Sequence, residues 1–302
     1  MRSELEEAIR LLHRAEAESL DDALLLLQRT VFSFAMKVCG QKQDAEDTAQ
    51  EVLFKSLPHL TKLKDARALS AWLYRAAMNR CWQDRRKSSY RSEIALDDLV
   101  PSQAELSALL KDESKIDPES ETLLREAEQM LHSAVLKMPP PYRIVLVLHD
   151  MEELDTELVA RILSLDPGTV RVRLHRARLM VRKEISKAMR GSRTERASTT
   201  KPASRPGQCQ EIFANLSEYL DGELAPESCE QMRSHIEACP SCMAFIQDLK
   251  RAIDRCRALD FCHRTDAPPA LRRLLQEEYR RLVGSAPNPR RNPGIEPRSG
   301  DL

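Results

Sequence analysis

The residues best suited to chemistry lie in the last third of the chain. His235-x3-Cys239-x2-Cys242 places one imidazole and two thiols within eight residues. A spacing of four sets His235 and Cys239 on one helix face, and the Cys-Pro-Ser-Cys turn closes two thiolates on one point. Structural zinc takes four nitrogen or sulfur ligands in a tetrahedron. Cys209, at the start of the same segment, is the expected fourth ligand. Cys229 lies within a helical stretch, Ser228-Cys229-Glu230, and ranks below Cys209. The expected cofactor is therefore one zinc ion, structural or redox-sensitive, on Cys209, His235, Cys239 and Cys242. His235-x-Glu237 followed by Cys239-x2-Cys242 also shares elements with the zinc deaminase pattern, in which the glutamate moves protons. That pattern needs a proline before the first cysteine and a long gap after the histidine. Here Pro240 follows Cys239, and only three residues separate His235 from Cys239. No catalytic residue is expected. Cys256, Cys262 and His263 add a candidate second metal or redox-responsive site. Cys39 and Cys81 fall in helical sequence and are expected to be buried or inert. For the Cys/His module, a disulfide is disfavoured against zinc in a reducing compartment.

Helices must carry these groups. The 302 residues include only 8 glycines and 4% aromatics, which argues against a β-sandwich, a barrel or a glycine-loop nucleotide fold. The length suggests two or three small domains, and 42% hydrophobic residues can supply several small cores. Apolar runs such as Ala23–Leu27 and Ile144–Leu148 fall far short of the ~20 residues a bilayer span needs. The acidic MRSELEEAIR start has no apolar signal-peptide core. The expectation is an all-α protein with cytoplasmic localisation and no membrane contact. Its expected parts are a helical domain at 5–91, a linker at 92–120 and a second helical domain at 121–190. A flexible Ser/Thr/Pro/Arg-rich linker follows at 191–208, then the Cys/His module at 209–258. Residues 259–302 hold a terminal helix, near 268–283, and a disordered tail.

The net charge of zero is a cancellation. Residues 61–91 carry 9 basic and 2 acidic side chains, and residues 168–206 carry 12 and 2. Residues 1–60 hold 7 and 11, residues 92–130 hold 3 and 11, and residues 207–258 hold 5 and 9. Two separate basic blocks suit two contacts with a phosphate backbone. The acidic module is a candidate intramolecular partner for either.

In the second basic block the sequence predicts a helix-turn-helix. Glu157–Ser164 forms the first helix, with Leu158, Val159 and Ile162 apolar. Leu165-Asp166 makes the turn, with Asp166 as N-cap and Pro167 at the first helical position, where its missing N–H costs nothing. The next helix buries Val170, Leu174, Ala177 and Val181. Val172, His175 and Arg176 then point away from the core, flanked by Arg171 and Arg173. A second helix that exposes Arg and His over its first turns suits major-groove reading. In the first domain, Leu24, Leu27, Val31, Phe34, Ala35 and Val38 mark one helix. A second helix starts at Asp44 and stops before Pro58. A third runs from about Ala66 to Lys87, with Leu69, Trp72, Leu73, Ala76 and Ala77 as its apolar stripe.

The string Pro167-Gly168-Thr169-Val170-Arg171-Val172-Arg173-Leu174-His175-Arg176-Ala177-Arg178 resembles the recognition helix of extracytoplasmic-function (ECF) sigma factors, in the sigma-70 superfamily. The preceding Thr156-Glu157-Leu158-Val159-Ala160 departs from the family's usual Glu-Glu-Ile-Ala form. Asp44-Ala45-Glu46-Asp47-Thr48-Ala49-Gln50-Glu51-Val52 resembles the family helix that docks on core RNA polymerase. Ala71-Trp72-Leu73-Tyr74-Arg75-Ala76-Ala77-Met78-Asn79-Arg80 resembles its promoter-melting helix. The resemblance covers roughly residues 5–190. It implies binding to core RNA polymerase through Asp44, Asp47, Gln50 and Glu51. It implies contact with the −10 promoter element through Trp72, Tyr74, Arg75, Asn79, Arg80, Arg85 and Arg86, although the apolar stripe favours core packing for Trp72. It implies contact with the −35 element through Arg171, Val172, Arg173, His175, Arg176 and Arg178. Residues 209–250 resemble the zinc-binding anti-sigma domains. They share an early Cys, Tyr219-Leu220-Asp221-Gly222-Glu223-Leu224 and His-x3-Cys-x2-Cys. The resemblance implies a sigma factor that performs no covalent reaction and carries a fused regulatory module. Two other readings remain: a helix-turn-helix regulator with a zinc sensor that never meets polymerase, and a zinc enzyme.

Overall fold

The computed structural model describes residues 3–14, 17–60, 65–83, 96, 99, 101, 105, 121–189, 207–259 and 269–284. These residues form twelve helices, with no strand among them. The all-α expectation holds.

The first group is α1 (Ser3–Arg14), α2 (Ala17–Cys39), α3 (Lys42–Leu60) and α4 (Ala66–Gln83). α2 lies at its centre, packed on the other three, and buries Leu24, Leu27, Val31, Phe34 and Val38 as their spacing predicts. α3 starts two residues before Asp44, which sits in its first turn, where a carboxylate suits the helix dipole. The expected stop before Pro58 is corrected: the helix passes through Pro58 to Leu60. A proline in a last turn forfeits a single N–H bond, while Leu57 and Leu60 on either side of it are buried. The expected end of the third helix at Lys87 lies outside the described residues.

The second group is α5 (Glu121–Lys137), α6 (Pro140–Leu146), α7 (Thr156–Leu163) and α8 (Pro167–Met189). Pro140 and Pro141 open α6, which continues into a π-helical turn at Val147–Met151. The Asp155 carboxylate caps α7 by accepting the Leu158 N–H at 2.8 Å, and Ser164 closes it in the left-handed region. Asp166 accepts the Thr169 N–H at 3.3 Å, at the predicted cap of α8. Val170, Leu174, Ala177 and Val181 are buried, as expected.

The first two groups pack directly on each other. The buried Arg143 guanidinium donates to the Val38 carbonyl at 2.8 Å and to those of Leu136 and Met138 at 2.9 Å each. Gly40, at the α2–α3 junction, has φ +82°, and a Cβ there would lie 2.7 Å from the Leu136 side chain. Only glycine meets both demands. Lys37 Nζ donates to Glu152 Oε1 at 2.7 Å, and Tyr74 Oη donates to Glu152 Oε2 at 2.8 Å. All three side chains are buried.

The third group is α9 (Gly207–Asp221), α10 (Pro226–Ala238) and α11 (Pro240–Ala258). Its core joins Phe213 and Phe245 edge-to-face at 4.9 Å, with Leu216, Ile236, Leu249 and Ile253 buried around them. α9 and α11 both lie on α8. The last helix, α12 (Pro269–Gly284), matches the expected terminal helix and packs back on α2 and α3. Leu275 is buried there, and Gln276 Nε2 donates to Asp21 Oδ1 at 2.6 Å.

Candidate nucleic-acid interface and metal centre

α8 carries two stripes, one residue out of phase. The first, Val170, Leu174, Ala177 and Val181, fills the core of its own group. The second, Arg171, His175, Arg178 and Arg182, keeps the same i, i+4, i+7, i+11 spacing and is rotated by about 100°. Each member of this second stripe meets a residue of the third group.

The contacts follow the helix in order. Arg171 Nε donates to Glu223 Oε2 at 2.7 Å, and Thr156 Oγ1 of α7 donates to Glu223 Oε1 at 2.8 Å. Gly222, at φ +70°, ends α9 and turns Glu223 into this position, with the Glu223 N–H returning to the Glu218 carbonyl at 2.9 Å. His175 Nδ1 lies 3.0 Å from Ser217 Oγ. Arg178 is fully buried; its Nη2 donates to Asp150 Oδ1 at 2.6 Å and to Asp221 Oδ1 at 2.7 Å. Arg182 Nε donates to Asp248 Oδ2 at 2.7 Å, and its guanidinium lies 4.6 Å from the centre of the Phe245 ring.

Burial and charge set the protonation of this stripe. His175 is held down at about 4 by burial first, then by Arg178 and Arg176; it is neutral near pH 7. Burial alone pushes the Asp150 carboxyl up, but Arg178 outweighs it with help from His149, so Asp150 lies well below the usual carboxylate range. Glu223 shifts the same way: burial raises it, and bonds from Arg171 and Thr156 lower it further.

These placements change several expectations. The expected outward direction of His175 is corrected: it is buried, because α9 lies over it. Arg178, expected among the exposed bases, sits inside the core. It is shared between Asp150, in the π-helical turn of its own group, and Asp221 and the Ser217 carbonyl of α9. Arg173 and Arg176 are half-buried, with Arg176 Nη1 3.5 Å from Tyr142 Oη. Val172, 54% exposed, keeps the outward direction expected of it.

In the first basic block Tyr74 is buried, not open for stacking, because its hydroxyl is committed to Glu152. Trp72 packs against the core and lies 5.2 Å from the His59 ring, in line with its place in the apolar stripe. Arg75 Nε donates to the Ile162 carbonyl at 2.9 Å, and its Nη2 bonds the Arg161 carbonyl. Arg67 pairs with Asp155. Arg80 Nε donates to Glu51 Oε2 at 2.6 Å, so a residue expected at DNA and one expected at polymerase bind each other. Asn79, Asp44, Asp47 and Gln50 are exposed. Arg85 and Arg86 lie outside the described residues.

At the Cys/His module, one ligand atom each from His235, Cys239 and Cys242 lie within 4.8 Å of one another. Cys242 Sγ is 3.5 Å from His235 Nε2. Two thiols and an imidazole at this separation fit a single centre with ligand bonds of about 2.0–2.3 Å. Cys209 lies in α9, and its side chain is not among those described; Cys229 is not part of the cluster. The second-site expectation is corrected for Cys256. It is fully buried, and burial first, then Asp150, push its thiol well above the usual range, which disfavours the thiolate such chemistry needs. Cys262 and His263 lie outside the described residues. Cys39 and Cys81 are buried, as expected, but are joined by a disulfide.

Lys37, Asp150, Glu152, Ser217, Asp221, Glu223 and Asp248 were not singled out from the sequence as contact residues. The acidic balance of residues 207–258 pointed to the region of Ser217, Asp221, Glu223 and Asp248, and nothing pointed to the individual positions or to Lys37, Asp150 and Glu152.

Three families match successive stretches of the chain: "Sigma-70 region 2" over residues 25–91, "Sigma-70, region 4" over 128–181, and "Putative zinc-finger" over 209–243. The ECF RNA polymerase sigma factor SigW of Bacillus subtilis is 27% identical over 184 residues, covering 60% of this chain and 96% of its own length. The RNA polymerase sigma-H factor of Pseudomonas aeruginosa is 27% identical over 180 residues, covering 59% and 91%. The ECF RNA polymerase sigma factor SigE of Mycolicibacterium smegmatis is 28% identical over 178 residues, covering 58% and 64%.

Proposed function

The chain belongs to the ECF group of the sigma-70 family, and we propose from that premise that its zinc module restrains it in cis. It is a sigma factor that directs transcription initiation. In this reading α1–α4 bind core RNA polymerase and the −10 element, and α5–α8 bind the −35 element. α9–α11 cover the helix that reads the −35 element. The observation that carries the restraint is Glu223, which holds Arg171 of α8 and Thr156 of α7 at once. Ser217, Asp221 and Asp248 extend that cover along the same face of α8. An α8 so engaged cannot enter a major groove with the same side chains. The proposed site of action is the cytoplasm, and no helix among the described residues is long and apolar enough to cross a membrane.

Zinc is the proposed ion at Cys209, His235, Cys239 and Cys242. These residues would hold it between the end of α10 and the start of α11, with Cys209 reaching it from α9. The protein's own residues hold α8: Glu223 and Asp221 from the end of α9, and Asp248 and Phe245 from α11. Loss of the ion would loosen the frame that aligns these two helices.

Polymerase docking is assigned to Asp44, Asp47 and Gln50, all exposed, and to Glu51, which Lys55 and Arg80 engage. Reversing the polarity of Asp47, Gln50 and Glu51 should abolish core binding while the helical circular dichroism stays unchanged.

The decisive experiment is run-off transcription with purified core polymerase by the full chain and by residues 1–195, with and without a zinc chelator. The shortened chain is expected to be more active, and the chelator to raise only the full chain. Equal activity under all conditions would reject the restraint. Absence of core binding together with unaided duplex binding would favour a regulator that acts without polymerase.

A further inference from the structure

We propose that Cys39 and Cys81 form a reversible thiol–disulfide site that fixes α4 to α2 beside the polymerase-docking helix. The two residues lie 42 positions apart, on different helices, with Cα atoms 5.5 Å apart. That separation falls inside the range a disulfide spans without backbone movement. Both are buried. The pair faces α3: Thr48 Oγ1 lies 4.0 Å from Cys39 Sγ and 3.8 Å from Cys81 Sγ. The bond therefore gathers all three helices at one point.

The surroundings give the bond a consequence. Cys81 follows Arg80, which donates to Glu51 of α3 at 2.6 Å. Cys39 ends α2, one residue before the left-handed Gly40 where the chain turns into α3. Closing the bond ties the last turn of α4 to this junction. Opening it leaves that turn held by the Arg80–Glu51 pair and by local packing. In the zinc module, by contrast, His235, Cys239 and Cys242 converge on one centre, and Cys256 is buried in the core.

The oxidant class is a small-molecule disulfide such as oxidised glutathione. Cys81, at 7% the more exposed of the two against 3% for Cys39, attacks one sulfur of that disulfide as a thiolate and releases one small thiol. Cys39 then attacks the mixed disulfide at Cys81 Sγ and releases the second. Two cysteine protons and two electrons leave, and two small thiols form. Disulfides in reducing compartments are mostly transient or redox-sensing, which suits a site poised between both states. Any effect on promoter opening rests on the sigma-factor reading; the chemistry of the pair does not.

The test uses the full, zinc-loaded chain in glutathione buffers spanning reduced to oxidised, followed by thiol trapping with N-ethylmaleimide and peptide mass mapping. Amide hydrogen exchange is followed in the same samples. One linked peptide pair, Cys39–Cys81, should appear on oxidation and vanish on reduction. Exchange in residues 74–83 should slow at least tenfold in the oxidised form. The variant C39S/C81S should lose this redox dependence. Recovery of Cys39 and Cys81 as separately alkylated residues from the oxidised buffers would overturn the proposal, as would pairing of either with a module cysteine. A linked pair without a change in exchange would overturn the coupling to α4. None of these readouts involves polymerase, so the proposal can fail while the sigma-factor reading stands.

Discussion

The two basic helices, α4 and α8, both have arginines engaged in this conformation, but by different partners. α8 spends Arg171, Arg178 and Arg182 on acids of the third group. α4 spends Arg67 and Arg75 on the α7 region of the second group, and Arg80 on its own neighbour α3. Removing the zinc module therefore frees one helix and not the other. α4 is released only when the first two groups separate, and that step breaks the buried Lys37–Glu152–Tyr74 contact. In the proposed reading, exposure of the two DNA-facing helices is thus two steps with two locks.

The largest expected effect tests which part of α8 belongs to the lock. Arg178 pairs with Asp150 inside its own group and with Asp221 of the module. Arg178→Met leaves Asp150 buried with only His149 beside it, which costs about 3–5 kcal/mol. Chemical denaturation should show that loss in the full chain and also in residues 1–195. A loss confined to the full chain would make Arg178 a docking residue. Undiminished stability with weakened duplex binding would restore it to the DNA face.

Next in size is release of the module itself. The Arg171, His175 and Arg182 contacts, at about 1 kcal/mol each, predict a rise on the order of 100-fold in duplex affinity for residues 1–195 over the full chain. The comparison must be made at one salt concentration, because phosphate contacts are salt-dependent. The Lys37–Glu152 contact should survive the truncation. If Glu152→Gln alone gave the same rise, the two locks would be one.

A smaller effect comes from protons. His175 titrates at about 4 in the closed form and near 6.5 once exposed. Its folded value is depressed, so the open state binds more protons between these two values. The closed form is then favoured above about pH 6.5 and weakens as pH falls towards 4, by about 1.4 kcal/mol per unit. Glu223 and Asp150 are shifted below their usual values, so they stay ionised through most of that window and do not reverse the sign. The affinity ratio of shortened to full chain should fall between pH 6.5 and 4.5. His175→Asn should flatten the trend.

Much of the architecture was legible because helices announce themselves locally. The cap at Asp166, Pro167 at the first position and the Val170–Val181 stripe fixed α8 from a dozen residues. The His235–Cys239–Cys242 cluster was equally local. What escaped was the second stripe of α8. Arg171, His175 and Arg178 read as DNA-facing and Arg182 was not singled out, because periodicity identifies an apolar face and is silent on a charged face that meets complementary charge. Asp150 and Glu152 escaped for a different reason. They sit where the helix after Leu146 widens into a π turn, a local change of pitch with no period of its own, and that turn sends one acid to α8 and the other to α2 and α4. The Cys39–Cys81 pair joins helices 42 residues apart, a contact that no local pattern encodes.

The smallest expected effect separates exposed from buried contacts within the one stripe. Arg171 and Glu223 retain 36% and 27% side-chain exposure, against 0% and 11% for Arg178 and Asp221. Solvent screens the outer pair, so Glu223→Gln should weaken docking by about 0.5–1 kcal/mol, a two- to fivefold gain in duplex affinity. The amide keeps an oxygen that can accept from Thr156 or Arg171, which limits the loss. Added salt should erode the contribution of the outer pair over the same range that screens surface charges and leave the Arg178–Asp150 contact intact. The measurement is therefore the ratio of Glu223→Gln to unaltered full chain across a salt series. Convergence of the two at high salt places the outer pair at a screened rim. A constant ratio would mean that Glu223 is as desolvated as Asp221, and that the recognition helix is sealed along its whole length.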